Sequence, residues 1–139
     1  MLDHPINLEE MTGEQAIEAT IEMWSDMMDI YGEDPCMLDR FDFKETWLLD
    51  HGYTRSVYLG DIITGNCFLC EYAGKKVIYS ATTNCKCHLC PIYWPDRSLD
   101  FHFCKGPALD YRRAPIPDIL AYLKNKENWT VEENNGSSV

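Results

Sequence analysis

The chain has 139 residues, an ordinary share of apolar side chains and a formal net charge of −11. That length suits one domain with a real core, and the absence of any run of about 18 apolar residues excludes a membrane-spanning helix. The acid surplus disfavours nucleic acid as the main partner and favours basic protein surfaces.

The charge is uneven. Residues 1–50 hold fourteen acids against Arg40 and Lys44, a net of −12, whereas residues 51–139 are nearly balanced. The start, Met1-Leu2-Asp3-His4-Pro5, lacks the basic cluster and apolar run of a secretory signal, so a cytoplasmic location is expected. In that compartment thiols stay reduced, and seven cysteines then read as metal ligands and leftovers rather than disulfides.

Residues 1–11 read as an irregular lead-in. Thr12-Gly13-Glu14-Gln15 fits a capping box. A helix should follow to about Tyr31, stopped by Gly32 and Pro35. At helical spacing Ile17, Ile21, Trp24, Met28 and Tyr31 form one apolar stripe, and Ala16, Thr20, Met23, Met27 and Ile30 form another beside it. Glu14, Glu18, Glu22, Asp26 and Asp29 fill the opposite side. Like charges at i,i+4 each cost a helix about 0.2–0.5 kcal/mol. A solvated face chosen for stability would interleave lysines, so these five acids are candidate partner-binding residues.

Residues 33–43 read as a polar connection, with Cys36 as an isolated buried or half-buried thiol. Asp39 or Asp42 is expected to cap a short helix over residues 44–51 that buries Phe43, Trp47 and Leu48 and ends at Gly52. His51 then meets the helix dipole. Residues 53–63 fit a strand or further helical turns. Residues 77–80 read as a strand, and Pro91 and Pro95 forbid helix around Ile92-Tyr93-Trp94. Pro115-Ile116-Pro117 introduces a helix over about 117–127 with Ile119, Leu120, Tyr122 and Leu123 apolar. Residues 130–139 have the composition of a disordered tail.

The strongest motif is two Cys-x-x-Cys pairs, Cys67/Cys70 and Cys87/Cys90, sixteen residues apart. That spacing places four thiolates around one tetrahedral ion, and Zn(2+) is the usual occupant. Cys85, Cys104 and His88 remain open as replacements for one of the four. Four thiolates close the metal, so one structural zinc is expected and no metal-based catalysis.

Enzyme signatures are missing. There is no phosphate-binding Gly-rich loop, no Gly-x-Ser-x-Gly, and no His-x-Glu of a zinc deaminase. Asp96, Asp100 and His102 fit a polar loop better than a nuclease site. Lys75, Lys86, Tyr93 and Trp94 leave a second reading open, a zinc-ribbon nucleic-acid-binding accessory protein. A homodimer through the wide apolar face of the first helix is also open.

Several pieces recur together in one order: Glu22-Met23-Trp24, Lys44-Glu45-Thr46-Trp47-Leu48 with Gly52-Tyr53, Asn66-Cys67-Phe68-Leu69-Cys70-Glu71-Tyr72-Ala73, and Cys87-His88-Leu89-Cys90-Pro91-Ile92-Tyr93-Trp94. In these the chain resembles small cysteine-rich proteins of unassigned function encoded by bacteriophages, over about residues 12–113. The resemblance implies a host-directed or accessory role and supplies no activity. Cys36 and Cys85 are additions to that pattern.

The combined expectation is an α+β chain, with N-terminal amphipathic helices packed on a small zinc-ribbon or knuckle-like β region and a C-terminal helix. Its domain spans 1–129, with an acidic helical part (12–52), a zinc-binding part (64–105) and a final helix (117–127). Its expected function is a protein-interaction module whose acids occupy a basic, nucleic-acid-binding surface of a host defence protein.

Overall fold

The structure is a computed structural model that describes residues 3–8, 10–53, 68–69, 72, 90–95 and 109–130. Its first helix begins where the capping box places it. The Gln15 amide donates to Thr12 Oγ1 at 3.1 Å, and the Thr12 amide donates to Gln15 Oε1 at 3.0 Å. Two of the unpartnered N–H groups of a helix start are thereby satisfied. Helix α1 runs Gly13–Tyr31 and stops at Gly32, whose positive φ of 87° glycine takes without strain. Its inner side buries Ala16, Ile17, Met23, Trp24 and Met27 fully, while Ile30 and Tyr31 stay exposed.

Helix α2 spans Met37–Asp50, one to two turns earlier than expected from an aspartate cap. Cys36 is its N-cap, makes no side-chain cap bond and is exposed, not buried. Arg40 takes over at this end. Its Nε donates to Pro35 O (2.9 Å), Nη1 to Arg112 O (3.1 Å) and Ala114 O (2.7 Å), and Nη2 to Asp34 Oδ1 (3.0 Å). With five N–H donors in a rigid fork, a guanidinium serves several carbonyls at once, so Arg40 lies buried. At the other end the Gly52 amide donates to Leu49 O and the Tyr53 amide to Leu48 O. With Gly52 at φ 93°, this is the paired cap of a Schellman motif, and its partners Leu48 and Tyr53 are both buried. His51 Nδ1 lies 2.7 Å from Trp47 O, and only an N–H can satisfy that carbonyl.

Helix α3 runs Ile116–Lys124 with Pro117 in its first turn, and a 3-10 turn follows over Lys126–Asn128. It packs against α1 and buries Ile116, Ile119, Leu120 and Leu123. One apolar core joins these helices to Ile6, Leu8 and Met11 of the N-terminal segment, and to Phe68, Leu69, Tyr72, Cys90, Ile92 and Trp94.

The expected α+β architecture is overturned. The described residues form three α-helices and a 3-10 turn, with no sheet, so no zinc-ribbon β region is seen. Pairing among them is limited to one antiparallel bridge, Ile92 with Trp129. It is held by Tyr93 N–H to Asn128 O and Thr130 N–H to Pro91 O, both 2.7 Å. Pro91 and Pro95 have no N–H to give, so a ladder cannot grow from this segment. Phe68, Leu69 and Tyr72, expected on a knuckle, are helical and buried. Their i, i+1, i+4 spacing is that of one helix face. Thr130, expected in the tail, also donates through Oγ1 to Cys90 O at 2.9 Å. Residues 131–139 and most of the expected zinc-binding part lie outside the described residues. Among the described residues no helix is long and apolar enough to cross a membrane.

Candidate functional site

Trp24 collects the two bases of the acidic half. Arg40 Cζ lies 5.7 Å and Lys44 Nζ 4.5 Å from its ring centroid, and Lys44 Nζ is also 5.6 Å from the Tyr111 ring. The Trp24 indole N–H donates to the Tyr111 hydroxyl at 3.0 Å. The negative face of an indole attracts a cation, so both side chains turn inward. The outer surfaces of α1 and α2 are left with acids alone among their charged side chains.

Those acids do not form one uniform ridge. Glu14 and Asp29 are exposed, as expected of a partner-binding face. Glu22 instead faces His4, with Oε2 at 3.3 Å from Nε2. A carboxylate only accepts, so Nε2 carries the proton. In the neutral ring Nδ1 then accepts from the Tyr53 hydroxyl at 2.7 Å, and that hydroxyl accepts the Ile6 amide at 2.9 Å. Burial pushes the Tyr53 phenol above its usual range; the Ile6 N–H opposes this and the Glu22 charge adds to it. Asp26 accepts the Trp47 indole N–H at 2.8 Å and ties α1 to α2. Burial pushes the Glu18 carboxyl up, and the neighbouring Glu14 charge pushes it further. Glu22 and Asp26 thus serve the fold, through partners 18 and 21 residues away that helical periodicity does not contain.

The acids converge instead at the far end of α1. An open groove of about 540 Å³ runs between the last turns of α1 and the second half of α2. Phe43 and Trp47 line it, with Tyr31 edge-on to Phe43 (centroids 5.9 Å apart) and His51 stacked on Trp47 (3.8 Å). Asp26 and Asp29 of α1 and Asp42 and Asp50 of α2 also line it. Aromatic rings framed by carboxylates can hold a lysine or arginine by ion pairing and cation–π contact together. Asp42 and Asp50 were not among the expected binding residues. Their signal was present as further acids at helical spacing on the second helix.

Of the four expected zinc ligands, Cys90 is described; Cys67, Cys70 and Cys87 lie outside the described residues, as do Cys85, Cys104 and His88. Among the described residues no three His, Cys, Asp or Glu side chains come together as a metal site. Cys90 is buried, and its Sγ accepts the Trp94 indole N–H at 3.3 Å. Trp94, expected as a stacking platform for bases, is instead buried and stacked on Tyr122, with centroids 5.5 Å apart and planes 5° from parallel. The Tyr122 hydroxyl donates to Tyr93 O. Lys75 and Lys86 lie outside the described residues.

Comparison with protein families, curated proteins and solved structures gives no match to this chain.

Proposed function

We propose that this chain is an acidic protein-interaction module that binds a basic surface of a partner protein. Arg40 and Lys44, the only bases in residues 1–50, are both turned onto Trp24; this is the observation that carries the reading. The outer acids then act as one undiluted field, which steers a basic partner toward the α1–α2 face. Asp29, Asp42 and Asp50 on the groove and Glu14 at the start of α1 are all exposed. A groove evolved for phosphates presents lysines and arginines that such carboxylates can engage. The resemblance to phage-encoded cysteine-rich proteins supports a host-directed setting in the bacterial cytoplasm, with a nucleic-acid-binding defence protein as target.

In the same reading Cys67, Cys70, Cys87 and Cys90 hold one structural zinc that ties the middle of the chain to the core. The buried, hydrogen-bonded Cys90 sulfur fits that role. Metal analysis of the purified protein should give one zinc per chain, lost on Cys90→Ser.

The binding test uses the triple variant Asp29→Lys, Asp42→Lys, Asp50→Lys, at positions that serve no internal hydrogen bond described above. The wild-type chain should capture a basic protein from nuclease-treated bacterial lysate. The variant should lose it while keeping its helical circular dichroism. Capture that survives the triple reversal, or that disappears on nuclease treatment alone, would overturn the proposal.

A further inference from the structure

We infer that the groove and the adjoining outer stripe of α2 together receive a basic amphipathic helix of the partner. The inference rests on the reading of the chain as a binder of basic protein surfaces, and specifies the shape that the partner presents.

Helix α2 has two apolar sides. Phe43, Trp47 and Leu48 go into the core. Leu38, Phe41 and Leu49 remain 69%, 49% and 51% exposed. At 100° per residue these three fall within one arc of about 100°, together with Asp42 and Glu45. They span eleven steps, or about 16 Å of helix at 1.5 Å per residue. Around the groove mouth Ile30 and Tyr31 add 66% and 43% exposed apolar side chains. Exposed apolar side chains aligned in this way mark a partner surface. Asp42 belongs both to the stripe and to the groove, so the two form one face.

The length of the stripe selects a helix over a single inserted side chain. One lysine fills the groove mouth but leaves Leu38 and Phe41 in water. An amphipathic helix laid along α2 covers both, through apolar residues repeating at i, i+3, i+4, i+7. The rim selects its charge. Asp39, Asp42, Glu45 and Asp50 all lie on α2, while Arg40 is buried and Lys44 points to Trp24. Among the described residues no lysine or arginine is left on this face to meet the acids of a second copy, so like-charge repulsion opposes a homodimer here. A helix flanked by lysine or arginine is complementary in both respects.

The test titrates the full-length, 15N-labelled chain with a synthetic helix of about 18 residues, or five turns. It is built of leucine, lysine and alanine, with leucines at the amphipathic spacing. A peptide of the same composition with scrambled order is the comparator. The amphipathic peptide should bind at least about ten-fold more tightly, a difference of about 1.4 kcal/mol. It should shift the resonances of Phe41, Asp42, Leu49 and the Trp47 indole. Leu38→Glu with Phe41→Glu, both at solvent, should lower its affinity by ten-fold or more and leave the Trp24 indole resonance in place. Equal binding of the scrambled peptide would overturn the helix inference and leave the broader reading standing. Absence of binding by either peptide would also overturn it, and the triple lysine variant decides the broader reading separately. A concentration-dependent dimer abolished by Leu38→Glu would assign the stripe to a second copy, and would overturn it as well.

Discussion

Asp26 accepts the indole N–H of Trp47 at 2.8 Å, so a carboxylate at the edge of the groove is also a strut between α1 and α2. Hydrogen bonds to charged groups contribute about 1.5–3 kcal/mol. Asp26→Ala is therefore expected to lower the unfolding free energy by about that amount. Asp26→Asn keeps an acceptor oxygen and should recover much of it. Urea denaturation followed by tryptophan fluorescence measures both. A loss below about 0.5 kcal/mol for Asp26→Ala would place Asp26 with the binding acids instead.

Arg40 is the second strut, and it joins α2 to residues 112–114 through carbonyls. Each buried carbonyl left without a donor costs about 1–3 kcal/mol. Arg40→Met should accordingly destabilise the chain by about 3 kcal/mol or more. Arg40→Lys should restore little, because an ammonium cannot reproduce the planar fork. Asp34, the carboxylate partner, is 71% exposed, so Asp34→Ala should cost less than about 1 kcal/mol. The contrast between the two partners is the measurement.

Glu18 makes stability depend on pH. The folded chain holds its proton more tightly than the unfolded chain, because burial and then Glu14 disfavour the charge, with Lys126 in partial opposition. Its contribution is thus most favourable below the ordinary glutamate value of about 4.3, and is lost as pH rises through the raised folded value. Glu18→Gln should raise the melting temperature near pH 7 and give no gain below about pH 4. An equal gain at both pH values would exclude this origin.

Two glycines share a positive φ but differ in surroundings. Gly32 and Gly52 have φ of 87° and 93°. A Cβ at Gly32 meets nothing within 4 Å, whereas one at Gly52 would lie 3.1 Å from Pro5 Cδ. Both alanine variants should lose about 1–3 kcal/mol from backbone strain at positive φ. Gly52→Ala should lose more, and should speed exchange of the Ile6 amide that the N-terminal segment presents to Tyr53. Hydrogen exchange at that amide separates the two variants.

Local signals were readable from the chain. The Thr12–Gln15 box, the stops at Gly32 and Gly52, and the proline-led start of α3 act within four residues of themselves, so their chemistry is written in neighbouring letters. The start of α2 was not. Cys36 gives no cap bond, and the turn is secured by Arg40 reaching Arg112 and Ala114, more than seventy residues on. Phe68, Leu69 and Tyr72 carried helical spacing, but the flanking cysteines drew the reading to a β knuckle. Of the acidic ridge, the composition was legible and the allocation was not. Whether Glu22 and Asp26 face solvent or a neighbour depends on His4 and Trp47, which only the tertiary fold brings near.

The pairing of α1 with α3 has a consequence for synthesis. Trp24 finds its hydrogen-bond partner 87 residues later, at Tyr111, and the helix that packs against α1 is made after that. A ribosome adds about 5–20 residues per second. The apolar side of α1 therefore waits on the order of ten seconds without its cover while the chain emerges. During that interval the carboxylates of the same helix oppose association of nascent chains by like-charge repulsion, before any partner is met.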